Sequence, residues 1–305
     1  MKIRKSTGKI LMTAGTVAVL GLMLSAQQTL ALPVDLGAAG PGNWAVLEIG
    51  TGDLDIEVNA GGPVNGVTGN VGLNGIGQLK LTGTTFVQGD VVVAQNVNQV
   101  VLSGAAAITG SIAINQALLT QAHDDALKAA ADAAVLPSSG AAFGTAASRI
   151  DITTGGTIHS GVYYVDKFEL SNNEFLHLAD DGSYVFNISG DLKINGPGGV
   201  LLDGSLGAGN VLFNYTGTTT VAFAGGSYPD GSEKAVLYGI ILAPDAAVSL
   251  APGQVFGEII SGKKISIVSG SDVSGTTQVP DAGSTMLLMS IGLGALAAAK
   301  RKFVS

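Results

Sequence analysis

The sequence predicts a mainly β protein, an irregular β-helix or solenoid with one long α-helix packed alongside, set between an N-terminal signal helix and a C-terminal transmembrane helix. Three observations predict it. The 305 residues include 45 Gly, only 5% aromatic and 12% charged residues, and the apolar residues come as short bursts of Val, Ile, Leu and Ala parted by Gly, Asn, Asp and Ser, the composition of short strands and tight turns. The bursts return at irregular intervals of roughly ten to twenty residues without a strict period, which favours an irregular helix of strands over a perfect repeat. One Gly-free, Ala-rich segment breaks the pattern and reads as helix. The spacing of strands alone also fits a sandwich or a barrel.

In chain order, Lys2, Arg4, Lys5 and Lys9 precede an apolar stretch from Ile10 to Leu24, with small-residue sites at Leu24-Ser25-Ala26 and Thr29-Leu30-Ala31. This is the layout of a cleavable secretory signal over residues 1–31. A spanning helix needs roughly 20 apolar residues, more than this stretch offers. Strands are expected at 78–82, 86–93, 99–102, 107–114, 161–164, 183–188, 211–215, 235–242, 247–250, 255–261 and 264–268. Asp191-Leu192-Lys193-Ile194 and Lys264-Ile265-Ser266-Ile267 alternate strictly, one face inward and one outward.

Between them, residues 116–135 read Q-A-L-L-T-Q-A-H-D-D-A-L-K-A-A-A-D-A-A-V, with Asn115 placed as N-cap and Pro137 as stop. Leu119, Ala122, Ala126, Ala129, Ala130 and Ala133 fall on one side, so a narrow face of small residues should lie flat against a sheet. The Gly/Ala/Ser stretch 138–148 is a loop that returns the chain to the strands.

The chain closes on Val279-Pro280-Asp281-Ala282-Gly283-Ser284, an apolar run from Met286 to Ala299, and Lys300, Arg301 and Lys302. The run extends about 21 Å as a helix against a hydrocarbon core of about 30 Å. It spans only if Ser284 and Thr285 are included and the terminal lysines snorkel, with the basic end cytoplasmic. The domain reading is therefore a signal at 1–31, a β-helix passenger at 32–278 with its helix at about 116–135, and a sorting segment at 279–305 with its transmembrane part at 286–299.

Charge narrows the partners. Seven of the 15 Lys and Arg lie in the terminal signals but only Asp281 of the 23 acidic residues does, so the passenger sits near −14. Such a surface repels nucleic acid and anionic lipid. With no Cys in the chain, disulfides, thiolate metal sites, a lipid-modified cysteine and a cysteine nucleophile are excluded.

The C-terminal parts, in this order, resemble the PEP-CTERM class of bacterial sorting signals in its Val-Pro-Asp-Ser-Gly variant. The resemblance assigns Val279, Pro280, Asp281, Gly283 and Ser284 to the motif and Lys300, Arg301 and Lys302 to the membrane stop. It implies an exosortase, a membrane cysteine protease, as partner, and delivery to the cell surface or an exopolysaccharide matrix. Ala282 departs from the variant, where Ser is usual. The segment N-V-L-F-N-Y-T-G-T-T-T-V from Asn210, Tyr238 to Val248 and Gly257-Glu258-Ile259-Ile260-Ser261 resemble the closing coils of ice-binding-like and choice-of-anchor A domains. That likeness implies a discontinuous β-helix with a long α-helix along its side.

Ice binding, as the likeness implies it, needs Thr at matched spacing on a flat face. The candidates Thr82, Thr84, Thr153, Thr218 and Thr220 belong to clusters that do not recur in register, and Thr is also an ordinary residue of a solvated strand face. Asp53, Asp55 and Glu57 alternate with apolar residues and would face one way on a strand, a weak calcium site set against the simpler reading of a solvated edge. His123, His159 and His177 lack metal-ligand spacing, so no metal or cofactor is expected. No Gly-x-Ser-x-Gly, His-Glu-x-x-His or phosphate-loop motif occurs, so the chain is not expected to be an enzyme. The expectation is an exported structural or adhesive protein of the cell surface or exopolysaccharide matrix, with ice binding the alternative and a polysaccharide-active enzyme third.

Overall fold

Alternation along each short strand leaves one apolar side that must be buried, and stacking coil upon coil buries it in one continuous interior. The computed structural model, which describes residues 32–61, 65–225 and 234–276, shows this arrangement. All strand pairs between described strands are parallel, and they form three ladders, one along each side of a three-sided solenoid.

The order of coils is not the order of the chain. On the helix-backed face, Val46–Glu48 pairs with Val71–Leu73 on one edge and with 259–261, the end of strand Gly253–Ser261, on the other. The ladder continues one way through Val91–Val93 to Ile112–Ile114. The other way it runs through 240–243 and Val211–Tyr215 to 184–188 and 161–165. The other two faces close the same junction, Ile56–Asn59 with Ile265–Val268 and Gly66–Thr68 with Asp272–Ser274. Residues 46–114 thus coil outward from the middle, and residues 150–274 coil back to it from the far end. The fold is a discontinuous β-helix.

The one α-helix among the described residues, α1 (Gln116–Ala134), makes the return journey. Its 19 residues reach about 28 Å, the height of roughly six rungs. Asn115 caps it, its side chain accepting from the Leu118 N–H at 3.1 Å, and Leu119, Ala122, Ala126, Ala129 and Ala133 are buried. Small residues let the helix sit close, and a Cβ at Gly72 would lie 3.1 Å from a Leu119 methyl. A second apolar layer therefore fills the space between α1 and the outward side chains Val185, Leu212, Ile240, Leu242, Ile260 and Leu47. Inside the solenoid, Tyr163, Phe186 and Phe213 stack on successive coils at 5.0 and 4.9 Å.

Several expected strands resolve differently. The single strands expected at 86–93 and 107–114 are each two, Phe86–Gln88 with Val91–Val93 and Ala107–Ile108 with Ile112–Ile114. The chain turns a corner at Gly89 and at Gly110 without losing its apolar rhythm, and a Cβ at Gly110 would meet the Gly89 carbonyl oxygen. The strand expected at 161–164 runs on through Gly161–Ser171, bending at a register shift between Val165 and Lys167. The signal at 1–31, the sorting segment at 279–305 and its transmembrane part at 286–299 lie outside the described residues. Among the described residues no helix is long and apolar enough to cross a membrane.

Candidate functional site

With one face covered by α1, two faces remain to meet a ligand. The second face carries Val100–Leu102, Leu79–Leu81, Ile56–Asn59, Ile265–Val268, Val248–Leu250 and Val221–Ala224, followed by 193–195 and 167–171. Register puts Lys80, Glu57, Ser266, Ser249, Ala222, Lys193 and Glu169 in one outward row. The centre of this row is small and weakly polar, and its flanks are charged but paired. Lys264 meets Glu57 at 2.7 Å and Lys193 meets Asp191 at 3.1 Å. Lys80 meets Asp55 and Lys167 meets Glu169, both at 2.5 Å.

The third face is different in kind. Register aligns Thr157, His177, Leu201, Tyr238, Phe256, Ser274, Thr68 and Gln88 in an outward row. Tyr238 and Phe256 stack across adjacent coils with centroids 4.5 Å apart. They form one wall of a groove of about 800 Å³ whose other side is the loop at 203–210. His177 Nδ1 lies 3.1 Å from Asp203 at the rim. Sequence reasoning took these aromatics only as strand residues. The available signal was the repeated aromatic-Gly pair, Tyr238-Gly239 and Phe256-Gly257, at equivalent points of two coils.

The candidate threonines do not form one array. Thr82 follows Leu79–Leu81, Thr153 follows Ile150–Ile152 and Thr220 precedes Val221–Ala224, so these three border the second face at different rows. Thr84 lies in the turn toward the third face, and Thr218 lines a small depression with Asp166 and Asp191. Of the three carboxylates weighed for calcium, Asp53 precedes the strand in a bend, while Asp55 and Glu57 are each bound to a lysine. Among the described residues no group of three potential ligands has metal-binding geometry. His123 lies on α1 with its Nδ1 2.5 Å from the Ile49 carbonyl oxygen. His159 Nδ1 lies 3.1 Å from Asp180. The sorting-motif residues and Lys300, Arg301 and Lys302 lie outside the described residues.

Two carboxyl groups are buried in the helix-backed layer. Glu48 Oε2 accepts from the Gly75 N–H at 3.0 Å, yet burial pushes its pKa up to about 7 against the opposing pull of the Gly75, Gly50 and Asn74 amides. Glu258 is fully buried with neither oxygen hydrogen-bonded, and desolvation raises its pKa well above the ordinary carboxylate range. Neither opens on the groove or on the second face, so they weigh on stability rather than on chemistry.

Comparison with known proteins gives two family matches. The ice-binding-like family model covers residues 55–271, and the VPDSG-CTERM motif covers residues 278–303, a signal that supports export and handling by a membrane sorting system. No curated protein sequence matches the chain. Among solved structures, the chain is similar to an ice-binding protein from the Antarctic ascomycete Antarctomyces psychrotrophicus, with TM-score 0.52, 20% identity, and coverage of 80% of this chain and 98% of that one. A glycosylated ice-binding protein from an Arctic yeast matches with TM-score 0.53 and 19% identity over 81% of this chain and 95% of that one. A domain of an ice-binding protein of Shewanella frigidimarina matches with TM-score 0.53 and 15% identity over 81% and 98%. At these identities the likeness is one of fold.

Proposed function

The chain belongs to the ice-binding-like family, and from that premise we propose that it is an exported binding protein, not an enzyme, which is held at the cell surface and engages ice through its second face. The observation that carries this reading is the in-register outward row of that face. Ser266, Ser249 and Ala222 stand on adjacent rungs at a repeat of about 4.8 Å, with no bulky side chain at the centre and with each flanking charge neutralised by a neighbour. A face of small side chains at regular spacing meets an ordered water layer without forcing it apart. The Thr residues at its border, Thr82, Thr153 and Thr220, add hydroxyl and methyl groups to the rim.

Sorting completes the reading. The secretory signal at 1–31 exports the chain, and an exosortase-type protease acts at the motif around Val279 to Ser284 after transient anchoring in the membrane.

Thermal hysteresis and ice-recrystallisation inhibition on residues 32–278 test the proposal. We expect activity that is lost in Ser249→Tyr and kept in Gln254→Tyr, which changes the third face. A folded protein with no effect on ice at high concentration removes the reading.

One observation favours a second reading, adhesion to polysaccharide. The Tyr238–Phe256 stack beside the 800 Å³ groove offers an apolar wall and a polar rim of the sort that sugar rings use. Net negative charge restricts its partners to neutral or amino sugars. Glycan-array binding that disappears in Phe256→Ala would favour it.

A further inference from the structure

The two ends of the solenoid are not alike. At the far end, the loop after α1 folds over the last coil. Phe143 packs on Tyr163 with centroids 4.6 Å apart, and the Val162 N–H donates to Ser139 Oγ at 2.8 Å. The inward residue Ile152 of that coil is buried.

At the opposite end nothing among the described residues covers the last coil. Its three strands, Val100–Leu102, Ala107–Ile108 and Ile112–Ile114, each pair on one edge only, with Leu79–Leu81, Phe86–Gln88 and Val91–Val93. Register assigns Leu102, Ile112 and Ile114 to core positions, opposite the buried Leu81, Val91 and Val93. Yet they are 47%, 39% and 54% exposed. They are a layer of core with no layer above it. Solvent-facing strand edges are usually blunted by charge or proline. Here the sequence runs from Val91 to Ala122 without one Asp, Glu, Lys, Arg or Pro, in a chain whose net charge is −8.

We propose that the coil 97–114 is an interface between two copies of this chain, joined end to end about a twofold axis. Three free strand edges in a three-sided arrangement are satisfied together only by a surface that presents the same three edges. Among the described residues that surface is the same coil of a second copy, since at the far end the loop after α1 occupies the helix-backed edge and only the Ile150–Ile152 and Gly156–Ile158 edges are left unpaired. The twofold axis sets strands antiparallel across the junction, one face's strand against its own copy and the other two against each other, and it places the Leu102, Ile112 and Ile114 layers of the two copies in contact, closing the pair so that no filament grows. The uncharged stretch is what lets two acidic molecules approach here. Asp272–Ser274, the last described strand, lies at mid-stack between 254–256 and Gly66–Thr68, so the junction leaves the chain's exit unobstructed.

Sedimentation equilibrium on the full chain in mild detergent tests this. At about 100 µM, within the range of a modest interface, we expect twice the protomer mass. Leu102→Lys/Ile114→Lys is expected to sediment as a monomer. Because that pair lies at core positions, Val101→Glu, on the outward side of the same coil, serves as a second variant, and it should weaken association at least about tenfold through like-charge repulsion. Circular dichroism checks that both variants are folded. Since the chain has no cysteine, Ser103→Cys should give a single cross-linked dimer on oxidation. A wild-type chain that stays monomeric at this concentration, or folded variants that associate as the wild type does, would overturn the proposal.

Discussion

Asn214 Nδ2 donates to Asn187 Oδ1 on the neighbouring coil at 2.8 Å and also to the Ala130 carbonyl of α1 at 3.0 Å. Asn187 Nδ2 in turn donates to the Ala133 carbonyl at 2.8 Å, and the Tyr164 hydroxyl, next in the same row, reaches the Ala134 and Leu136 carbonyls at 2.9 and 2.6 Å. The last carbonyls of a helix have no partner within it. Here the sheet supplies donors to Ala133 and Ala134 at the helix end and to Leu136 just beyond it, while Asn214 holds Ala130 one turn earlier, so the polar row fixes where α1 ends against an otherwise apolar seam. Asn187→Ala removes a donor from the Ala133 carbonyl and an acceptor from the Asn214 amide, and should cost about 1–3 kcal/mol. Chemical denaturation reads this directly, and a midpoint unchanged from wild type would show that the row is not a clamp.

The helix was legible because its signals are local. Asn115, Pro137 and the Leu119-to-Ala133 stripe each act within a few residues. The strands were legible as bursts but not as coils, since a corner at Gly89 or Gly110 interrupts the backbone without interrupting the apolar alternation. What joins Val46–Glu48 to residues 259–261 is a pairing across more than two hundred positions, and only the family likeness implied the break in coil order. The aromatic groove was hidden for the same reason. Tyr238 and Phe256 become neighbours through register, not through spacing within one element. The buried Glu48 and Glu258 look in the sequence like any surface carboxylate on a strand.

Glu48 sets a pH dependence with a definite sign. Its carboxyl pKa rises from 4.5 to about 7 in the fold, so the folded state holds a proton that the unfolded state has released between those values. Stability from this group is therefore greatest below pH 4.5, falls as pH rises toward 7 and is flat above. The gap corresponds to roughly 3 kcal/mol. Asp90 and Asp180 are held low, chiefly by the backbone N–H groups of Ser111 and Ser160, and they give the opposite slope below the ordinary carboxylate range. Thermal melts between pH 4.5 and 8 should show a decline, to which the buried Glu258 contributes with the same sign, and Glu48→Gln should make it shallower, with the variant the more stable protein at pH 8. An unaltered slope in the variant would show that Glu48 is not its source.

Gly257 and Gly239 occupy equivalent corners of adjacent coils, with φ of 147° and 149°. A Cβ on Gly257 would collide with the Gly239 carbonyl oxygen, and the backbone conformation itself disfavours a side chain. Gly257→Ala should therefore destabilise by about 2 kcal/mol or more. Gly52→Ala, where the new atom would meet only a Leu54 carbon at 3.9 Å, should stay within about 0.5 kcal/mol of wild type. Paired denaturation curves separate corner geometry from a general effect of adding a methyl group.

Sorting can be tested apart from folding because of where the last coil ends. Strand Asp272–Ser274 is held on both edges, by 254–256 and by Gly66–Thr68, and the Gly275 N–H donates to the Thr68 carbonyl at 2.7 Å. Deleting Met286 to Ser305 therefore removes none of the contacts that close the solenoid, and the truncated chain should melt where the full chain does. Its destination should change. On the proposed sorting route, loss of the apolar run and of Lys300-Arg301-Lys302 leaves nothing to pause the chain at the membrane, so it should appear in the medium in place of the cell surface. Fractionation with an antibody to the passenger measures this, and a folded, truncated chain still retained at the surface would count against a sorting role for that segment.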